Sequence, residues 1–323
     1  MPNNHPFPFH DGAMWLDNST LSSWMECPRL YQYTWLEQRE ALWNKTAMNY
    51  GKAIHLAIAA LTMSCGTTYT KANPDVLNKL LETHFERYPQ PPDDHRQLGL
   101  AKETIARYIR TYEVEPWSIM EANGFPLIER LLWTNIGNIN GIPLNYYGVI
   151  DLVVKKPDGT IWIVDHKTTS MLGKTLDYDM AITGQMRGYA WLFEQCFHIQ
   201  PTGYIVDAIR SLAPGPTALK TSATLEAWWS EQFRRLPFYL NEEQIEEWYQ
   251  TVNSHIANML WHHERSWPMN TKSCVNKYGC CSMYQVCTLP KEQRLVALQS
   301  NLFTINDWTE RTLGEKLTTR KGE

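Results

Sequence analysis

Apolar residues in the first third of the chain recur at the spacing of amphipathic helices. The segment from about residue 18 to 40 opens with Ser19 and Thr20, which favour helix starts, and Pro28 interrupts it. Further segments of helical period follow at residues 50–63, 73–88 and 96–112. The pattern predicts an all-helical N-terminal part over residues 18–112.

The pattern changes to alternating and β-branched runs after residue 125, which is typical of strands. We predict strands at residues 125–134, 146–155, 160–166 and 203–210, with a helix at 181–196. Asp158-Gly159 is a strong hairpin signal between the second and third strands. Helical period returns over residues 224–264 and predicts two helices. The order indicates an α/β core at 125–210 with helical additions at 18–112 and 224–290, in a single domain of residues 1–323.

Composition and charge fit an ordinary soluble globular protein. Of 323 residues, 43% are hydrophobic and 20% are charged, and the formal net charge is −4. No apolar run approaches the roughly 18 residues that span a membrane, and the N-terminus lacks a secretory signal pattern. We therefore expect a cytoplasmic protein. The net charge does not indicate a nucleic-acid binder, although a local basic stripe would suffice for one.

The hairpin at residues 146–166 places charged groups in an otherwise apolar sheet. Asp151 lies on its first strand, while Asp165 and Lys167 lie two residues apart on the second and so share a face. Residues 161–164 are apolar without a break, as in a strand buried on both faces. The trio could be a salt bridge at a sheet edge. We favour a site in which Asp151 and Asp165 bind Mg²⁺ or Mn²⁺ and Lys167 orients the attacking water.

These residues resemble the core motifs of the PD-(D/E)XK nuclease superfamily. Gly148 and Asp151 match Gly-x-x-Asp, and Asp165, Lys167 and Thr168 match Asp-x-Lys-Thr. The match is to the RecB-like branch, which includes CRISPR-associated and phage-encoded exonucleases. The resemblance implies an α/β fold with a restriction-endonuclease-like core, in which helices flank a small mixed sheet.

Two further motifs stand in the order of that branch. Gly51 and His55 resemble its Gly-x-x-x-His helix, in which the His is a metal ligand. Gln185 and Tyr189 resemble its Gln-x-x-x-Tyr motif on the helix after the Asp-x-Lys strand. Because Gln185 and Tyr189 are four residues apart, they share a helix face. Beside Lys167, they are expected to contact the DNA backbone or the nucleophilic water.

Other residues near these motifs have less defined roles. His166 should point its side chain away from the site, while the resemblance implies that its backbone carbonyl ligates metal. Glu129 is an isolated acid on an earlier strand, outside the predicted ligand set, with a role as extra ligand or supporting group left open. Basic and aromatic residues of later segments are candidate contacts to the DNA strand: Arg187, Trp191, Arg234 and Arg235.

Four of the seven cysteines fall within fourteen residues: Cys274, Cys280, Cys281 and Cys287. Without a secretory signal, such a cluster favours metal ligation over disulfides. Its gaps of five and six residues exceed the about two to four that are common in zinc ribbons. The resemblance extends to Cys27-Pro28 and implies a structural 4Fe–4S cluster on Cys27, Cys274, Cys281 and Cys287. Cys280 is the alternative to Cys281, and Zn²⁺ is the alternative metal.

The sequence thus predicts a metal-dependent deoxyribonuclease, an exonuclease acting on single strands or free ends rather than at internal sites. The resemblance implies a role in DNA repair, recombination, phage replication or CRISPR adaptation, and leaves room for protein partners from recombination or CRISPR-adaptation complexes. The alternative is a non-catalytic DNA-binding or assembly subunit that retains the nuclease fold. A damaged motif would favour the subunit, and every expected position is filled here.

Overall fold

The structure, a computed structural model, describes residues 5–42, 46–276 and 279–305. These residues form two compact units. The first unit holds residues 5–42, 131–148, 246–276 and 279–305, and the second unit holds residues 46–130 and 149–245. Each unit therefore combines segments that are distant in sequence. The organisation as one domain of three successive parts stays a prediction.

Runs of helices and runs of strands follow one another along the described residues. The helices are α1 (Asn18–Glu26), α2 (Pro28–Tyr31), α3 (Thr46–Cys65), α4 (Pro74–Arg87), α5 (Leu98–Thr111), α6 (Lys174–Ala181), α7 (Gly184–Phe197), α8 (Ser222–Ser230), α9 (Glu242–His263), α10 (Tyr284–Cys287) and α11 (Lys291–Leu298). The strands are β1 (Phe9–His10), β2 (Ala13–Leu16), β3 (Arg39–Ala41), β4 (Ser118–Ile119), β5 (Glu121–Ala122), β6 (Phe125–Pro126), β7 (Ile128–Ile139), β8 (Ile142–Lys155), β9 (Ile161–Thr169), β10 (Gly203–Arg210), β11 (Phe233–Tyr239), β12 (Val275–Asn276), β13 (Gly279–Cys280) and β14 (Phe303–Ile305). Within the part of the chain that the structure describes, no helix has the length and apolarity to cross a membrane.

The sheet of the second unit is mixed. Strands β8 and β9 form the predicted antiparallel hairpin, closed by a turn in which Gly159 has a φ of +86°, a conformation that glycine adopts without steric cost. Strand β9 runs parallel to β10, with α6 and α7 in the connection, and β10 pairs antiparallel with β11. This mixed sheet with flanking helices confirms the predicted α/β class.

Strand β11 corrects the helical prediction for residues 224–264. Only the two ends of that segment are helical, as α8 and α9. Strand β11 lies at the sheet edge, where Pro237 is tolerated because one side of the strand needs no ladder partner. Its pairing with β10 satisfies the backbone groups of both strands, a long-range gain that local helical period does not contain.

Helices cover both faces of this sheet. On one face, α3, α4 and α5 share a core that includes Ile54, Leu81 and Tyr108, and Ile209 of β10 joins it. On the other face, α7 packs against β9 and β10. The single helix predicted at residues 181–196 is therefore α7 alone, preceded by the separate helix α6.

The first unit brings the N-terminal cysteine and the late cysteines into the same body. Asp17 caps α1 with a reciprocal capping box, and α1 ends before Pro28, which begins α2 as the sequence predicts. Strand β3 pairs with β14, and an apolar cluster beside this pair contains Tyr33, Met283 and Val286. Cys281 and Cys287 pack against that cluster.

Candidate active site

The β8–β9 hairpin holds the predicted trio in one place. Leu152 pairs with Val164, so Asp151 and Asp165 come next on the two neighbouring strands. The Nζ atom of Lys167 lies 2.8 Å from Oδ2 and 3.1 Å from Oδ1 of Asp165. Alternation along β9 puts these two side chains on one face, as the sequence predicts.

Negative charge is concentrated in a buried position. Asp165 is only 1% exposed. Burial raises the pKa of Asp165, Lys167 opposes that increase, and the charge of Asp151 adds to it. Burial lowers the pKa of Lys167, but the charge and hydrogen bond of Asp165 and the charge of Asp151 outweigh burial and raise it. The site thus holds a lysine cation and carboxylates whose repulsion a bound cation would relieve.

Helix α3 brings His55 to the same carboxylates. The Nδ1 atom of His55 lies 3.4 Å from Oδ2 of Asp151. The helix packs against β9 at Gly51, where an added Cβ would lie 2.8 Å from Oγ1 of Thr168. The glycine of the Gly-x-x-x-His pattern therefore permits the close packing that places His55, one turn later, beside Asp151.

Glu129 lies with His55 and Asp151, and its role was left open by the sequence. Ligand atoms of His55, Glu129 and Asp151 all lie within 4.8 Å of one another. Glu129 has a φ of +48°, and both Glu129 and Arg130 are half-buried, so the alternation of β7 is broken there. A bulge-like break of this kind redirects a side chain, which strand period alone does not reveal. Imidazole nitrogen and carboxylate oxygens suit Mn²⁺, and the carboxylates suit Mg²⁺.

Helix α7 adds a chain of hydrogen bonds to Lys167. The Nζ atom of Lys167 donates to Oε1 of Gln185 at 2.8 Å, and Nε2 of Gln185 donates to the hydroxyl of Tyr189 at 2.9 Å. Tyr189 is buried, so it fixes the amide of Gln185 from inside the protein. The ammonium group of Lys167 is therefore held on two sides, by Asp165 and by Gln185.

His166 links the site to the opposite face of the sheet. Its backbone N–H donates to Oδ2 of Asp151 at 2.8 Å, while its ring nitrogen Nδ1 lies 3.0 Å from Oδ2 of Asp207. The hydroxyl of Tyr108 donates to the same oxygen at 2.6 Å. The side chain of His166 thus points away from Lys167, as alternation predicts, into a buried polar network.

Arg235 belongs to that network, and its predicted role as a DNA contact is wrong. Its guanidinium donates to both carboxylate oxygens of Glu115, at 2.6 and 2.7 Å, and its Nε lies 3.5 Å from Oδ1 of Asp207. The guanidinium also stacks over the rings of Tyr112 and Trp117, at 3.5 and 4.6 Å from their centroids. These contacts hold Arg235 in the interior because the sheet register turns it towards α5.

Trp191 also differs from the predicted strand contacts, while Arg234 has an ion-pair partner. Trp191 is buried within α7, in the apolar run from Ala190 to Phe193, a run that is typical of a helix buried on all sides. Arg234 donates from both terminal nitrogens to the carboxylate of Asp177, at 2.7 and 2.8 Å. Contacts of Arg187 and of Arg234 with DNA stay predictions.

A comparison with protein-family models identifies the family. The model of the PD-(D/E)XK nuclease superfamily matches residues 18–288, which is most of the chain. The protein belongs to this superfamily. The match places the α/β core described above among restriction-endonuclease-like folds.

Solved structures with a similar chain course have little sequence identity to this superfamily member. An exonuclease candidate from Eubacterium rectale is 12% identical, with 88% of this chain and 93% of that chain covered and a TM-score of 0.49. An alkaline exonuclease from Laribacter hongkongensis is 12% identical, with 67% of this chain and 94% of that chain covered and a TM-score of 0.29. The comparison with curated proteins gave no match.

Five of the seven cysteines of this superfamily member belong to the first unit: Cys27, Cys274, Cys280, Cys281 and Cys287. Cys27 is buried and accepts a hydrogen bond from the backbone N–H of Asn270 at 3.3 Å. Burial raises the pKa of Cys281 and of Cys287, and the charges of Cys27 and Cys274 add to both increases. These four thiols are therefore close enough to interact electrostatically. Cys280, by contrast, is exposed on β13.

Proposed function

We propose that this protein is a metal-dependent deoxyribonuclease that hydrolyses phosphodiester bonds with Mg²⁺ or Mn²⁺. The observation that carries the proposal is the grouping of His55, Glu129 and Asp151, whose ligand atoms lie within 4.8 Å of one another. Asp165 is close enough for the charge of Asp151 to affect it, and Lys167 binds both Asp165 and Gln185. A simple salt bridge at a sheet edge explains the contact of Lys167 with Asp165 alone. It does not account for the histidine and second carboxylate beside them.

The proposed metal ligands are His55, Asp151, Asp165 and the backbone carbonyl of His166, with Glu129 as a further ligand. A divalent ion bound there would act as a Lewis acid and favour ionisation of water near neutral pH. The carboxylates share a hard-oxygen chemistry that suits such an ion. The N–H of His166 fixes one oxygen of Asp151, so the orientation of that carboxylate is set before any ion binds.

Lys167 is the proposed residue that orients the attacking water and stabilises negative charge on the phosphate. Asp165 and Gln185 hold its ammonium group in place, and the third N–H of that group is the one left to act on the reacting atoms. Tyr189 positions the Gln185 amide so that its oxygen faces Lys167 and its nitrogen faces the hydroxyl. Gln185 and Tyr189 thereby support the position of Lys167.

The finer assignment rests on the order of the sequence motifs, which resembles that of RecB-like nucleases. We propose an exonuclease that acts on single strands or free ends, in DNA repair, recombination, phage replication or CRISPR adaptation. Partner proteins in a recombination or adaptation complex belong to the same proposal. A non-catalytic DNA-binding subunit is the competing function, and it predicts DNA binding without hydrolysis.

A 4Fe–4S cluster on Cys27, Cys274, Cys281 and Cys287 is the second part of the proposal. The mutual electrostatic effect of these thiols supports this set, and the exposure of Cys280 favours Cys281 as the third ligand. Such a cluster would connect segments from the two ends of the chain and restrict the unfolded state, by about 5 kcal/mol from loop closure alone. Iron, sulfide and zinc analysis of the purified protein, with its visible absorption spectrum, distinguishes the cluster from Zn²⁺.

The test of the nuclease proposal is incubation of the full chain with end-labelled single- and double-stranded DNA. Cleavage is expected with Mn²⁺ or Mg²⁺, none in EDTA, and a loss of at least about a hundredfold for Lys167→Ala. Equal cleavage by the variant would contradict the assigned role of Lys167. Binding without cleavage by the wild-type protein would favour the non-catalytic subunit.

A further inference from the structure

Helix α6 is part of a chain segment whose two ends meet at Lys167. The segment leaves β9 just after Lys167 and returns to the sheet with α7, on which Gln185 lies. Lys167 and Gln185 are then joined by their 2.8 Å hydrogen bond. The intervening residues 168–184 therefore form a connection whose two ends both lie at the proposed active site.

The sheet register places α6 on the same face as Lys167. Lys167 pairs with Ala208 on β10, and Ala208 pairs with Arg234 on β11. Residues paired across strands point to one face, so Lys167 and Arg234 share a face at a separation of about 10 Å, two strand spacings. Arg234 binds Asp177 of α6 through both terminal nitrogens and donates to the carbonyl of Leu172 at 3.1 Å. The helix thus lies beside the catalytic groups.

Polar contacts help to attach α6, and two large apolar side chains in this stretch, Tyr178 and Ile182, are exposed, while Leu176 and Met180 are half-buried. Besides the Arg234 contacts, the hydroxyl of Tyr204 donates to the carbonyl of Met180 at 2.6 Å. All residues of α6 are described, and none of them is buried. Tyr178 is 70% exposed, and Ile182, just after the helix, is 72% exposed. The exposure of Tyr178 and Ile182 leaves these two side chains available to a ligand.

One side of α6 combines a cation, an aromatic ring and an aliphatic group. Lys174, Tyr178 and Ile182 are spaced four residues apart and therefore lie along one helix face. Lys174 is exposed. Of the two acids that flank Tyr178, Asp177 is paired with Arg234, and Asp179 is exposed. A base-stacking ring next to a cation is the arrangement by which proteins bind unpaired nucleic-acid strands without sequence preference.

We propose that Lys174, Tyr178 and Ile182 form a platform on which unpaired DNA bases stack beside the phosphodiester to be cleaved. The platform rests on the proposed nuclease function, because continuity with the active site is what selects DNA as its occupant. Tyr178 stacks on a base and Lys174 contacts the neighbouring phosphate. The platform favours single-stranded DNA, since bases in a duplex are already stacked on each other.

Binding of fluorescein-labelled oligothymidylate to the full chain in EDTA, read by fluorescence anisotropy, tests the platform without cleavage. Tyr178→Ala is expected to raise Kd about tenfold, while Tyr178→Phe keeps the ring and retains binding. Tyr239→Ala is the matched control, because Tyr239 is a 74% exposed tyrosine at the end of β11 distant from Arg234 in the register. Its Kd should equal that of the wild type.

An abasic oligonucleotide with the same backbone separates stacking from any other effect. The wild-type protein should lose about tenfold in affinity on the abasic strand, and Tyr178→Ala should lose nothing further there. The platform would be overturned if Tyr178→Ala weakened the binding of oligothymidylate and of the abasic strand equally, or if it changed the binding of neither. The platform would also be overturned if the wild type did not bind oligothymidylate. Light scattering that shows Tyr178→Ala to act by dissociating an oligomer would overturn it as well.

The two proposals fail in different ways. A wild type that cleaves DNA with Mn²⁺ while Tyr178→Ala binds normally would leave the nuclease function standing and remove the platform. A wild type that binds through Tyr178 but never cleaves would retain the platform on a DNA-binding protein without hydrolysis.

Discussion

Asp207 is the carboxylate on which the buried network behind β9 depends. It is fully buried, and one of its oxygens accepts from Tyr108 at 2.6 Å and lies 3.0 Å from the His166 ring nitrogen. The other oxygen lies 3.5 Å from Nε of Arg235. Asp207→Asn preserves the side-chain shape and removes its charge. His166 and Arg235 would then remain buried with less compensation, a change that costs far more inside a protein than at its surface.

The magnitude follows from the pKa of Asp207. Burial raises this pKa, but the charge of Arg235 and the hydrogen bond and charge of His166 outweigh burial and lower it from 3.8 to about 2. At about 1.4 kcal/mol per pKa unit, this decrease corresponds to about 2 kcal/mol of folding stability at neutral pH. Unpaired positive charge adds to the loss in the variant, so we expect Asp207→Asn to lower the free energy of unfolding by about 3 kcal/mol.

Urea denaturation followed by circular dichroism measures this loss. Because the folded pKa lies below the unfolded one, the stabilisation is present above about pH 4 and is lost as the pH falls towards 2. Asp207 also raises the pKa of His166 against the effect of burial, so the difference in stability between wild type and Asp207→Asn should grow as His166 gains its proton between about pH 8 and 5. Below about pH 4 the difference should narrow as Asp207 itself becomes protonated. Asp93→Asn, which removes an exposed carboxylate, is the control and should change stability by less than about 0.5 kcal/mol. A difference below about 0.5 kcal/mol for Asp207→Asn at neutral pH, or one that grows as the pH falls below about 4, would refute the reasoning.

Three further substitutions test other parts of the site. Gly51→Ala should destabilise the protein by about 1–3 kcal/mol and reduce cleavage, because the new Cβ meets the side chain of Thr168. The double variant with Thr168→Ala should recover both stability and cleavage. Failure to recover them would remove the steric explanation. Glu129→Gln should weaken Mn²⁺ binding in calorimetry by about tenfold, and an unchanged affinity would exclude Glu129 from the ligands. Cys281→Ser should lose iron in elemental analysis while Cys280→Ser retains it, and the reverse result would exchange their roles.

The hairpin was predictable because its information is local. A strong turn at Gly159 fixes the pairing of β8 with β9, and alternation then assigns Asp165 and Lys167 to one face and His166 to the other. The same reasoning fails at Glu129, where a positive φ interrupts the alternation of its strand. A side chain redirected in this way can be recognised only once the backbone geometry is known.

The positions of the basic residues depend on contacts distant in sequence. Arg234 and Arg235 fall in a segment that helical period alone assigns to a helix, so the sequence did not predict on which face of the sheet each one lies. In the strand they alternate, and Arg235 pairs with Glu115 while Arg234 pairs with Asp177. Both partners come from other elements, and only the register of β11 on β10 determines them. The burial of Trp191 was readable from the apolar run around it.

The most direct test of the central claim is a parallel measurement of Mn²⁺ binding and DNA cleavage on the wild type and Asp165→Asn. Calorimetry should show Mn²⁺ binding to the wild type and a large loss of affinity in the variant. End-labelled DNA should be cut by the wild type with Mn²⁺ and remain intact with Asp165→Asn or with EDTA. Cleavage that persists in EDTA, or an Asp165→Asn protein that binds Mn²⁺ and cuts DNA as the wild type does, would contradict the account.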